Sequence, residues 1–265
     1  MRGESSEMRR IAFCADDFGS WPAATRGILA LVERGRLGGV SCQVVSPHWP
    51  AAAPRILEHA GAVDLGLHLD LAPRRSDLAT LVLRTHARVL DRRAVALRIA
   101  AQLDAFERAT GRAPQFVDGH HHCHQLPVVR ELLLAELQAR YPLRIPLVRS
   151  TRQRRGRGGK AAVLAALGGA ALDRALTRRE IAHNADFGGV YGLDPAADYP
   201  ALMRGWLAEV ADRGLIVCHP GEAPGDPGDP IAPARARELA YLASEEFPAD
   251  LAAAGVRPVR ASALT

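Results

Sequence analysis

The chain has 265 residues, of which 48% are hydrophobic and 24% charged, enough to bury a substantial core in one globular unit. The formal net charge is +5, with much of the excess in one run, RSTRQRRGRGGK at 149–160; without it the remainder is close to neutral. That run carries no interleaved aromatic residue to stack on bases, so it excludes a stacking nucleic-acid surface and reads as a solvated loop.

The first eight residues, MRGESSEM, lack the apolar centre of an export signal. The most apolar segment, AAVLAALGGAAL at 161–172, is too short and too rich in glycine and alanine to span a bilayer. Cys14, Cys42, Cys123 and Cys218 form no CxxC pair and read as buried, reduced thiols. A cytoplasmic protein follows as the expectation, with a disordered tail over 1–8, one domain over 9–265, no membrane span and no nucleic-acid partner.

In chain order, the apolar run over 10–15 reads as a strand, followed after the turn DDFGSWP by a helix over 23–35. A strand over 38–45 and a helix over 51–60 repeat the unit, and a strand over 63–69 precedes a longer irregular stretch. Then come a helix over 92–110, a strand over 114–120, a helix over 128–140 and a strand over 144–149. After the basic loop a helix runs to about residue 176, and HNADFGGVYGLDP reads as irregular. Asp198 caps a helix over 198–212, a strand LIVCHP follows, and a helix over 233–254 and a short strand VRPVRA close the chain. Seven or eight strand and helix units favour a parallel barrel over an open sheet.

Ligands of such folds collect at the carboxyl ends of the strands. The polar residues there are Asp16 and Asp17 in CADDFG, His68 and Asp70 in GLHLDL, Asp118, His120, His122 and His124 in VDGHHHCHQLP, and His219 in CHPGE. Strand alternation puts Gly66, His68 and Asp70 on one face and Leu65, Leu67, Leu69 and Leu71 on the other. The leucines must meet helices, so the histidine and aspartate face inward. The same period sets Asp118, His120, His122 and His124 together, with His121 and Cys123 opposite. One inward carboxylate and two inward imidazoles form a three-ligand set with an open position, as a catalytic divalent metal requires. Each residue also has a plainer account: an aspartate after a strand caps a helix, a buried histidine serves the core, and HP before glycine makes a turn.

ADDFG, GLHLDL, DGHHHCHQLP and CHPGE, in this order and spacing, resemble the YdjC-like carbohydrate deacetylases, a group with chitooligosaccharide deacetylases and hopanoid-biosynthesis relatives. FGGVYG at 187–192 and RARELAYL at 235–242 extend the resemblance over nearly the whole chain. It implies an α/β fold, an irregular (β/α) barrel that is TIM-like and related to polysaccharide deacetylases. It also implies a metal-dependent hydrolase that removes an N-acetyl group from a small-molecule carbohydrate. By the resemblance, Asp17, His68 and His120 would hold one divalent ion, zinc or magnesium, with His122 a second candidate within the histidine cluster. Asp16 would match the catalytic base and His219 the second catalytic histidine. Asp70, Asp118, His122, His124 and Tyr191 would support the ligands or meet substrate. The short basic stretch after His68 and the run at 149–160 would suit an anionic or lipid-linked sugar. A homo-oligomer is compatible with this reading. The alternatives are a metal-dependent phosphoesterase or amidohydrolase in the same fold and a non-catalytic metal-binding protein.

Overall fold

The computed structural model describes residues 8–72, 75–154 and 165–265. Its centre is a sheet of parallel strands: β1 (Arg9–Phe18), β2 (Gly39–Cys42), β3 (Asp64–Leu69), β4 (Phe116–Gly119), β5 (Leu147–Val148), β6 (Asp186–Gly188), β7 (Gly214–Cys218) and β8 (Val256–Pro258). The order across the sheet is β5-β4-β3-β2-β1-β7-β6, with β8 paired to β1. β1 is long enough to serve two neighbours along one edge. Its start pairs with β8 (Arg9 with Val256) and its middle with β2 (Cys14 with Gly39), while β7 takes the opposite edge.

The sheet curls into an irregular barrel, and the gap between β5 and β6 is bridged by single bonds. Val148 N donates to Ala182 O at 2.9 Å, and the Asn184 side chain accepts from Ser150 N at 2.8 Å and donates to Ser150 O at 2.9 Å. A side-chain amide there replaces part of a backbone ladder.

Side-chain alternation sorts the residues into two apolar layers. Ile11, Phe13, Ala15, Leu65, Leu67 and Leu69 point outward into the layer shared with the helices, where Phe13 meets Phe247 edge-on at 5.0 Å. Ala12, Cys14, Phe116, Leu147, Phe187, Leu215 and Val217 fill the barrel interior. Gly66 faces Phe116 so closely that a Cβ there would overlap the ring. The bottom of the barrel is therefore packed solid, which leaves its polar residues to the carboxyl ends of the strands.

The helices are α1 (Pro22–Glu33), α2 (Trp49–Leu57), α3 (Arg75–His86), α4 (Arg92–Thr110), α5 (Val129–Arg140), α6 (Ala170–Arg178), α7 (Tyr199–Glu209), α8 (Ala232–Leu242) and α9 (Glu246–Ala253). Asp91 and Asp198 cap α4 and α7, accepting from Ala94 N and Ala201 N at 3.0 Å each. Gly111, at φ 68°, stops α4.

Three expectations are corrected. The stretch after β3 is not wholly irregular, because α3 forms there, with a weak apolar face that leaves Leu83 71% exposed. HNADFGGVYGLDP contains the short strand β6. The helix expected over 233–254 is two, because the Ser244 hydroxyl donates to Tyr241 O at 2.7 Å and accepts from Glu246 N at 3.2 Å, drawing the backbone out of the helical ladder. The tail over 1–7 and half of the basic run, 155–160, lie outside the described residues. All four cysteines are buried and unpaired, and among the described residues no helix is long and apolar enough to cross a membrane.

Candidate metal centre and active site

Alternation along β1 would send Asp16 inward and Asp17 outward. The backbone prevents this: Asp17 takes a left-handed φ of 68°, and the register with β2 slips between Ala15 and Phe18. This bulge turns both carboxylates toward the carboxyl end of the barrel. Aspartate tolerates the conformation better than most residues, and its persistence at a cost of about 1–3 kcal/mol marks a site that the surroundings hold in place.

Asp17, His68 and His120 come together there, with one donor atom from each within 4.8 Å of the others. Asp17 Oδ1 lies 3.4 Å from His68 Nε2 and 3.2 Å from His120 Nδ1. It is buried and accepts no well-formed hydrogen bond. Two ligands at roughly 2.0–2.2 Å from a tetrahedral ion stand about 3.4 Å apart. The spacing, the orphaned oxygen and the donor set of one carboxylate and two imidazoles therefore fit a divalent ion. The other Asp17 oxygen receives Arg235 Nη2 at 2.7 Å. Burial opposes the charge on Asp17, yet Arg235 and the two histidines hold its carboxyl well below the usual range.

His68 is oriented from behind. Asp118 Oδ1 lies 2.7 Å from His68 Nδ1, and the Ser41 hydroxyl stands 3.1 Å from that nitrogen and donates to Asp118 Oδ1 at 2.5 Å. A proton on Nδ1 facing Asp118 leaves the Nε2 lone pair for the centre. Burial alone would lower the His68 pKa, but Asp118 and Asp16 raise it well above the ordinary histidine value.

Asp16 faces a different partner. Arg149 donates to it through Nη1 at 2.8 Å and Nη2 at 2.6 Å, and also contacts Asp118 and Cys14 Sγ, the latter at 3.1 Å. Burial disfavours an ionised Asp16, and the guanidinium outweighs it, so the carboxyl is strongly lowered. Cys14, Asp16 and Asp118 form a second cluster of potential ligand atoms, but the Arg149 guanidinium already sits among them. The basic run expected to be solvated thus begins with a fully buried arginine.

The expected alternation of His120, His122 and His124 is also corrected. β4 ends at Gly119, and 120–125 form a 3-10 turn in which His121 and His122 have φ of 51° and 57°. The turn sends the histidines in separate directions. His120 reaches Asp17, and the exposed His121 lies against it with ring centres 3.9 Å apart. His122 meets Phe187 edge-on at 5.6 Å, and burial together with His124 and Arg149 keeps it neutral. His124 is fully buried and donates through Nε2 to Arg149 O at 2.9 Å.

His219 follows β7. Its backbone N donates to Glu238 Oε2 at 2.5 Å, and its Nδ1 stands 3.9 Å from Glu238 Oε1. Tyr191 is drawn into the same group, its hydroxyl donating to Glu238 Oε1 at 2.7 Å. Burial raises the Glu238 pKa above the usual carboxylate value. Asp70 is occupied by its own loop, accepting from Gln43 Nε2 at 2.8 Å and Ala72 N at 2.9 Å.

Sequence reasoning missed Ser41, Arg149, Arg235 and Glu238. Arg235 and Glu238 lie three apart on α8, within RARELAYL, and two charges on the buried face of that helix were the signal available; Arg235 pairs with Asp17 and Asp229 rather than along the helix. Ser41 and Arg149 sit at or just past strand ends, as Asp16, Asp17 and His68 do.

The chain resembles carbohydrate deacetylase of Homo sapiens, at 31% identity over 149 residues, covering 49% of this chain and 46% of the relative. It resembles chitooligosaccharide deacetylase of Yersinia pestis (strain Pestoides F) at 28% over 145 residues, covering 49% and 57%. The chain thus spans about half the length of the curated relatives it matches. Among solved structures, a protein of Enterococcus faecalis V583 named for cellobiose-phosphate cleavage shares the fold, with a TM-score of 0.68 and 20% identity over 97% of this chain and 99% of that one. The model of the YdjC-like protein family matches residues 10–253, and the chain belongs to that family.

Proposed function

We propose that this chain is a metal-dependent carbohydrate deacetylase that hydrolyses the N-acetyl group of an amino sugar or a short oligosaccharide of such units. The observation that carries this reading is the meeting of Asp17, His68 and His120 around an orphaned carboxylate oxygen, with an ionised Asp16 and His219 close by. The names of the human and Yersinia relatives point to the same substrate class.

Asp17 Oδ1, His68 Nε2 and His120 Nδ1 would hold a zinc or magnesium ion. Such an ion, when bound, polarises an acetyl carbonyl and lowers the pKa of water. Asp16 serves as the base: Arg149 fixes both of its oxygens and keeps it ionised through the neutral range, ready to take a proton from the attacking water. His219 stands as the acid that hands a proton to the departing amine nitrogen, with Glu238 holding its backbone and facing its Nδ1. Asp118 and Ser41 keep His68 in the tautomer that leaves Nε2 free.

The phosphoesterase alternative usually calls for two ions about 3.5–4 Å apart. Among the described residues the second candidate group is filled by Arg149, which favours a single ion. The test is acetate release from a panel of N-acetylated sugars by protein as purified, after chelation, and after restoring single metals. Release that chelation abolishes and one metal restores is expected. Chelation-resistant release would remove the metal from the reading, and no release from any sugar, with phosphoester cleavage instead, would overturn it.

A further inference from the structure

Outside this site, α5 and α6 enclose a cavity of about 250 Å³ lined by Arg130, Glu131, Arg174, Arg178 and Arg179, with Leu134, Ala171 and Ala175 at its base. Every cation in the lining is an arginine. Its single carboxylate, Glu131, is already shared, with Oε1 3.6 Å from Arg88 and Oε2 3.1 Å from Arg92. Among the described residues neither Arg174 nor Arg178 has a carboxylate within ion-pair distance.

The arrangement is unfavourable as it stands. Arg174 and Arg178 are four residues apart on α6, where like charges repel by a few tenths of a kcal/mol. Arg130 lies in the first turn of α5, at the positive end of the helix dipole, and is half-buried with Nη1 donating to Gln125 O at 2.7 Å. Burial, together with Arg88, Arg174 and Arg178, lowers its pKa below the ordinary arginine value. An anion in the cavity would relieve all of these repulsions at once.

We propose that the α5–α6 cleft binds a phosphate-bearing anion, held between Arg130 on one wall and Arg174 and Arg178 on the other. Guanidinium forks match phosphate oxygens in pairs, and the all-arginine lining suits that recognition better than point charges would. The volume lies below the roughly 300–1,000 Å³ of pockets that take drug-sized ligands, so it admits one or two phosphoryl groups rather than an oligosaccharide.

The test is calorimetric titration of the whole chain with pyrophosphate at fixed ionic strength, paired with co-sedimentation on phosphatidylcholine vesicles with and without phosphatidic acid. Both are repeated with Arg174→Gln/Arg178→Gln, whose substituted positions are exposed and leave the core intact. Saturable binding of one pyrophosphate per chain that weakens at least tenfold in the variant is expected for a free ligand. Binding only to the anionic vesicles, lost equally in the variant, identifies a lipid headgroup as the source of the phosphate. Binding in neither arm, or binding that the variant retains in full, overturns the proposal.

Discussion

Arg149 holds Asp16 with two hydrogen bonds, at 2.8 and 2.6 Å, while the two side chains are 0% and 4% exposed. Replacing Arg149 by methionine leaves Asp16 and Asp118 buried without their counter-charge, and a loss of about 3–5 kcal/mol is expected in urea unfolding. Arg149→Lys keeps the charge but cannot grip both oxygens. It should fold and lose turnover by about a hundredfold or more.

Asp16 and Asp17 are neighbours in sequence with separable roles. Asp16→Asn should retain its metal, measured by plasma emission on dialysed protein, and lose about 10²–10⁴-fold in turnover. Asp17→Asn should lose the metal itself. Equal metal content in both variants would contradict the assignment.

Ser41→Ala removes the hydroxyl that donates to Asp118 behind His68. Loosening a partner of this kind costs about 10–100-fold in metal affinity, and competition with a fluorescent chelator should show a drop toward the lower end of that range.

His124 gives a pH dependence of stability. Burial pushes its pKa from 6.5 down to about 4, against the upward pull of Asp118. Above pH 6.5 the ring is neutral in both folded and unfolded chains, and no stability is lost. As the pH falls from 6.5 toward 4, the unfolded chain binds a proton that the folded chain refuses, and stability falls by about 3 kcal/mol. His124→Gln keeps a donor for Arg149 O and removes the titration, so its urea midpoint should fall less steeply over that interval.

The alternation of strand and helix was legible because the sheet is covered on its outer face, which writes runs such as Leu65, Leu67 and Leu69 into the sequence. His68 was legible for the same reason. The joint inward turn of Asp16 and Asp17 was not, since it depends on one backbone angle. Nor was the 3-10 turn at 120–125, because four histidines in five residues satisfy a period of two on paper while Gly119 ends the strand. Arg149 was hidden by its neighbours: a charge at the head of a basic run looks solvated, and only the convergence of Asp16, Asp118 and Cys14 from two other strands makes its burial tolerable.

The bulge at Asp17 also separates the fold from its chemistry. A regular β1 without the bulge would keep its ladders to β7 and β8, both below that point. One of the two carboxylates would then be directed into the helical layer. The resulting chain would keep its architecture, and a circular dichroism spectrum could not tell it from the parent, while its reaction centre had been taken apart by a single backbone step.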